Sequence, residues 1–328
     1  MIIPACFSQP NSPSSSSRTS TQVPQNLVTC IYQTQLCNSL TYLTLSWFRT
    51  LSSHSLTIHA THTFSITITL KPSTFTFFKT GPGSKSIYLN RNRKISQKIK
   101  LFWDFAGAKF GHNMAEPDSC FYLAIWCNGK VEFFLGDLVM QFTKQKHHQN
   151  GDQILLSRRE HVFGSMNYVS RGEFMGSKHE IEIECNGGVL RVKVDDEVRL
   201  VVKRLAWKFR GNEKIFMEGV EVEFYWDVLS WVVNGDNGNN NGHGVFVFQV
   251  GDAAVWPEMV GPEKRLMRKS LQGLTTEPSI VSLSPASSEV LQWAEESSDG
   301  GRSSCSSSTK SCGSNGGFSL LLYAWRRD

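Results

Sequence analysis

The chain has 328 residues, 40% of them hydrophobic and 37 aromatic (Phe 21, Trp 9, Tyr 7), which is enough apolar surface for a sizeable core and excludes a chain disordered throughout. Its net charge of +5 is uneven: residues 1–103 hold ten Lys or Arg and no Asp or Glu, leaving 24 basic against 29 acidic residues beyond, so +10 and then −5. Ten cations spread this thinly read first as Ser, Thr and Asn having taken the polar positions, with an anion-facing surface as the second reading, and no stretch reaches the roughly 18 apolar residues of a membrane-spanning helix.

Residues 1–26 are rich in Ser, Pro, Thr and Gln and carry few large apolar groups, so they are expected to be disordered, and they lack the basic and apolar regions of a secretory signal. From Leu27 onward the sequence falls into short runs of β-branched and aromatic residues, many alternating with period 2: 27–33, 42–48, 56–60, 64–70, 75–79, 98–105, 121–127 and 131–137. Further runs follow at 154–162, 168–174, 179–185, 190–195, 197–209, 213–219, 220–228 and 245–250. Turn signals separate them at Gly81-Pro82-Gly83, Asn128-Gly129, Asn186-Gly187-Gly188, Asp195-Asp196 and Gly211-Asn212. No long amphipathic helix interrupts the series. The expectation is one all-β domain over 27–256, an antiparallel β-sandwich of jelly-roll-like or partly closed barrel form, with a low-complexity loop at 234–244. Residues 257–317 read as a disordered Ser/Pro/Gly-rich tail and 318–328 as an apolar segment at its end.

One hairpin is legible in detail. Ile181 and Ile183 alternate with Glu180, Glu182 and Glu184, and Leu190, Val192 and Val194 alternate with Arg191 and Lys193, so facing strands pair acid with base on the solvent side.

The eight cysteines (Cys6, Cys30, Cys37, Cys120, Cys127, Cys185, Cys305, Cys312) show no zinc-ligand spacing and no disulfide framework, which predicts reduced thiols and an intracellular setting, cytoplasmic or nuclear, with peripheral membrane association as an alternative.

Several blocks together, KRLAWKFRGNEKIFMEGVEVEFYWDVLSW (203–231), LLSRREHVFG (155–164), KIKLFWDFAGAKF (98–110), VTCIYQTQL (28–36) and FSLLLYAW (318–325), resemble the plant family catalogued as domain of unknown function 868. The resemblance covers almost the whole chain and implies a plant source. It supplies no catalytic or binding residues.

Candidate chemistry is therefore read from the residues. Arg158 and Glu160 share one face of a strand and Arg159 and His161 the other, which separates the acid from the base and favours ion pairing over catalysis. Asp104 and Asp227 each follow a Trp at a strand end; a carboxylate-dependent enzyme would need them to converge, whereas capping a turn or pairing with arginine is the simpler role. His147 and His148 lack a third metal ligand. No catalytic residue, metal site or cofactor is assigned.

Two segments are candidates for binding. Lys203, Arg204, Lys208 and Arg210 interleave with Trp207, a mixture able to grip phosphates and stack bases, although Trp207 and Phe209 also suit a core-facing strand. Phe318, Leu320, Leu322 and Trp325 form an apolar cluster that either adds to this domain's own sheet or docks on a partner. The function read from these features is a non-catalytic module binding a macromolecule, most simply a protein, with nucleic acid or an anionic membrane as weaker partners; the alternative is a sandwich that binds a small ligand or carbohydrate in an aromatic-lined pocket.

Overall fold

The computed structural model describes residues 25–50, 53–61, 63–72, 81–91, 95–111, 114–139, 153–164, 166–174, 177–234, 243–251 and 317–326. The strand expected at 75–79 and the expected tails, apart from 25–26 and 317–326, lie outside them, as do His147 and His148; Gln25 and Asn26, expected in the disordered segment, begin the first strand.

The described chain is almost entirely strand. β1 (Gln25–Leu36), β2 (Ser39–Arg49), β3 (Ser53–Ala60) and β4 (Phe64–Pro72) run as a meander. They are followed by β5 (Gly83–Arg91), β6 (Ile95–Asp104), the short β7 (Lys109–Phe110) and β8 (Pro117–Ser119), then β9 (Tyr122–Cys127) and β10 (Lys130–Gly136). The second half holds β11 (Ile154–Gly164), β12 (Asn167–Phe174), β13 (Ser177–Asn186), β14 (Val189–Val194), β15 (Glu197–Val202), β16 (Arg210–Met217) and β17 (Val220–Asp227). One helical turn, α1 (Leu229–Asn234), precedes β18 (His243–Val250) and β19 (Phe318–Arg326). Among the described residues no helix is long and apolar enough to cross a membrane.

A nine-stranded sheet in the order β16-β17-β18-β19-β11-β1-β2-β3-β4 is the backbone of the fold, joined by two four-stranded sheets, β10-β9-β6-β5 and β12-β13-β14-β15. Pairing is antiparallel throughout except between β11 and β19, which run parallel, a departure from the wholly antiparallel expectation. The exception follows from where β19 lies: it enters the middle of the sheet between β18 and β11, and antiparallel pairing with β18 makes it parallel to β11.

Alternation along each strand sorts the side chains onto two faces, and the apolar set of one face builds two cores. Val28 and Cys30 of β1, Leu43, Leu45 and Trp47 of β2, and Leu56 and Ile58 of β3 pack with Ile99, Leu101, Leu123 and Ile125 of the β10-β9-β6-β5 sheet. Phe224, Trp226, Phe246, Phe248, Leu320 and Leu322 of the other half pack with Ile181, Ile183, Leu190, Val192 and Val194 of the β12–β15 sheet. Leu155 touches both cores. Each large apolar side chain buried this way contributes about 1.5–3 kcal/mol before entropy is set against it.

Tight turns connect the hairpins, and two-residue turns with both residues in the left-handed region match the twist of the strands they join. Asn128-Gly129, Gly187-Gly188 and Asp195-Asp196 adopt this form, as do the unexpected Cys37-Asn38 and Glu218-Gly219. Gly211-Asn212 is not a turn. It lies inside β16 opposite Trp226, and Gly211 is required there because a Cβ would overlap the Trp226 ring. The same device recurs where Gly83 sits opposite Trp103.

The cysteine expectation is corrected. Cys37, in the turn between β1 and β2, is disulfide-bonded to Cys127 at the end of β9, with Cα atoms 5.6 Å apart and a sequence separation of 90, so the bond ties the nine-stranded sheet to the β10-β9-β6-β5 sheet. Cys30, Cys120 and Cys185 are free thiols.

Candidate functional site

The run 197–209, expected as one strand, is a strand followed by a rigid turn. β15 ends at Val202; Arg204 takes a left-handed backbone (φ 59), and Leu205 tucks into the second core while its N–H donates to the Gly188 carbonyl at 2.8 Å. The N–H groups of Trp207 and Lys208 both donate to the Arg204 carbonyl, at 2.9 and 3.1 Å. On the far side the Trp226 indole N–H donates to the Lys208 carbonyl at 2.9 Å, and the Val228 N–H to the Phe209 carbonyl at 2.8 Å. The turn is thus clamped at both ends.

What this clamp displays is Trp207, whose side chain is 85% exposed, more than any other large apolar residue described. The alternation that suggested a core-facing Trp207 fails because the left-handed residue at 204 takes the chain out of the strand. Lys203, Arg204 and Lys208 stand exposed on the same turn. Arg210 Nε donates to Asp227 Oδ2 at 2.8 Å, and Asp227 Oδ1 accepts the Leu229 N–H at 2.9 Å to start α1. Beside the turn, the edge strand β15 exposes Val198 (51%) and Val201 (42%).

The apolar C-terminal cluster is placed differently from a tethered docking peptide. Phe318, Leu320 and Leu322 belong to the second core, and Leu320 and Leu322 have no accessible surface. Trp325, on the opposite face, stacks near His243 and Phe163, with its indole N–H donating to His161 Nδ1 at 3.4 Å. Both edges of the strand are paired and both faces are buried, so of the two placements expected from sequence the structure takes the one within the chain's own sheet.

The four residues Arg158 to His161 lie at the centre of the nine-stranded sheet and divide between its faces as their spacing requires. Arg158 and Glu160 sit between the two cores, not on a solvated ladder. Arg158 Nε donates to Glu160 Oε1 at 2.6 Å, and its Nη1 reaches Glu116 Oε2 at 2.5 Å and Cys30 Sγ at 3.5 Å. Burial works against the guanidinium charge, but the two carboxylates outweigh it and hold Arg158 firmly protonated. Burial, reinforced by Glu116, pushes the Cys30 thiol up to about 12, so it is no nucleophile at neutral pH. On the other face His161 stacks on Tyr323, and burial, with His243 and Arg159 nearby, lowers it to about 3. A general base works best near the operating pH, and neither group is poised for that role.

The two Trp-Asp pairs do not assemble a paired-carboxylate site. Asp104 lies in the sheet of β5, β6, β9 and β10, where its Oδ1 accepts the Ala106 N–H at 2.9 Å; Asp227 lies in the nine-stranded sheet and is committed to Arg210 and α1. Cys37, Cys127 and Glu132 bring potential ligand atoms within 4.8 Å of one another, but the two sulfurs are bonded to each other and the set does not hold a metal in that state. Glu132 instead accepts the Cys37 N–H through Oε2 at 2.5 Å, with its carboxyl pushed up by burial.

The model of a family described as plant protein of unknown function (DUF868) matches residues 23–326. No curated protein and no solved structure matches the chain.

Proposed function

Starting from the chain's membership of this plant family of unknown function, we propose that the protein is a non-catalytic binding module that engages an acidic protein surface through the turn Lys203–Arg210. The observation that carries the proposal is the 85% exposed Trp207 on a backbone clamped by hydrogen bonds at both ends. An exposed indole on a mobile loop would be unremarkable, since single surface apolar residues are normal. A rigid one loses little entropy on binding, and Trp and Arg are the residues that most often anchor interfaces. Lys203, Arg204 and Lys208 on the same turn favour a partner of negative charge, and the neighbouring Val198 and Val201 extend the contact along a strand edge.

The test is a quantitative pull-down from plant extract with the full chain, nuclease-treated, comparing wild type, Trp207→Ala, the pair Lys203→Glu and Lys208→Glu, and Tyr88→Ala as a control at another exposed aromatic (63%). Proteins enriched by wild type and by the Tyr88 control but lost from both turn variants support the reading. Equal recovery by all four chains refutes it, and recovery that vanishes with nuclease assigns the turn to nucleic acid instead.

A further inference from the structure

Among the described residues the first core is open along one side. β4 ends the nine-stranded sheet and β5 ends the β10-β9-β6-β5 sheet, and these two edge strands face each other across a cleft of about 300 Å³ lined by Ile66, Ile68, Leu70, Lys85, Trp103 and Phe105, together with Thr67 and Thr69. Its floor is apolar: Leu70 and Phe105 are 1% and 2% exposed, and the Trp103 indole lies over Gly83, which has no Cβ to obstruct it.

Lys85 is the one charged side chain in that lining. It pairs in register with Leu101, and alternation puts it on the same face of β5 as Ile87, which packs on the core, so a cation points toward an apolar slot. The carboxylate nearest in sequence, Asp104, follows Trp103 and faces the other way, beside Tyr122 and hydrogen-bonded to the Ala106 N–H. From Phe64 to Trp103 the sequence has no Asp or Glu, so this stretch offers Lys85 no carboxylate partner of its own.

We propose that this cleft binds a small hydrophobic carboxylate of medium chain length, its tail between Ile66, Ile68 and Trp103 and its carboxylate at Lys85. An apolar slot with one placed polar group is the usual form of a small-molecule site, and this volume stands at the lower end of the range, which suits a single short chain and excludes a two-chain lipid. This site is separate from the Trp207 turn, so either reading stands if the other fails. An inward lysine on an edge strand also blocks strand pairing with other chains; that role alone predicts no ligand.

The probe is decanoate, titrated calorimetrically below its micelle-forming concentration into the full chain, with octanoate and decylamine for comparison. Saturable one-to-one binding is expected, about fourfold tighter for each added methylene from octanoate to decanoate. Lys85→Glu, at an exposed position, weakens decanoate by about fivefold or more and reverses the preference toward decylamine. Ile68→Phe, which fills the slot, weakens both ligands. No saturable binding to wild type, or decanoate affinity unchanged in Lys85→Glu, overturns the proposal, and Lys85→Glu decides the matter even where Ile68→Phe fails to fold.

Discussion

Breaking the Cys37–Cys127 bond removes a cross-link that closes a loop of 90 residues between two sheets. In the chain-entropy account a loop of this length restricts the unfolded ensemble by about 4.6 kcal/mol at 25 °C, within the 2–5 kcal/mol commonly lost when a native disulfide is removed. The clean perturbation is reduction of the wild-type chain, with Cys127→Ala as the control. Urea unfolding followed by tryptophan fluorescence is the assay. With a slope near 3 kcal/mol/M, reduction lowers the midpoint by about 1.5 M, and the Cys127→Ala chain shows no further response to reductant. Oxidised and reduced wild type unfolding within about 0.5 kcal/mol of each other would refute the cross-link argument. Peptide mass analysis of protein purified from plant tissue under thiol-blocking conditions addresses the compartment: the bonded pair predicts a linked peptide containing Cys37 and Cys127, whereas a reduced intracellular setting predicts both blocked.

Arg158→Met leaves the buried Glu160 and the half-buried Glu116 without this cation and is expected to cost about 3–5 kcal/mol, read as a lost or strongly lowered unfolding transition; a change under 1 kcal/mol would show that the charges are solvated. His161 is held well below its ordinary 6.5, at about 3, so the unfolded chain takes up its proton first and stability falls as pH drops from about 6.5 toward 3, by up to about 1.4 kcal/mol per pH unit. His243, on the same face and also lowered by burial, adds in the same direction, and His161→Leu is expected to flatten the slope between pH 6.5 and 5; an unchanged slope counts against the buried neutral imidazole. A chain ending at Asn315 loses β19 from the centre of the sheet, unpairs β11 and β18 and opens the second core, so it is expected to be insoluble or without a cooperative transition, where a docking peptide would come away with no effect on melting.

The elements that sequence reading recovers are those whose information is local. The β13–β14 hairpin is legible because Ile181, Ile183, Val192 and Val194 alternate with charges and Gly187-Gly188 supplies a turn, and its outward ion pairs form as expected, with Lys193 bridging Glu182 at 3.0 Å and Glu184 at 2.5 Å. Reading fails where a pattern continues past a backbone reversal, since nothing in Val201, Leu205, Trp207 and Phe209 announces the left-handed residue at 204. It fails also where glycine serves packing instead of turning, as at Gly211. The basic turn residues were legible as a cluster; the rigidity and exposure of Trp207 were not, because both depend on bonds to Gly188 and Trp226 that only the fold supplies.

Long-range pairing is a different kind of information. Ser157 lies opposite Ser319 and Cys30 opposite Arg158, at separations that no local period encodes. Strand β19 is buried on both faces from Phe318 to Trp325, so hydrophobic alternation does little to fix its register. The polar residues of β11 supply what the apolar ones lack. A slip of one residue would carry Arg158 and Glu160 together to the other face and set Arg159 and His161 against Glu116 and Cys30, breaking the Arg158–Glu116 pair and the hydrogen bond from Trp325 to His161. Such a state is penalised by several kcal/mol, far more than one misplaced methyl group. The Arg-Arg-Glu-His run is therefore best understood as the element that selects one register for the sheet's central strands, and its burial between two cores follows from that role without any catalytic demand on it.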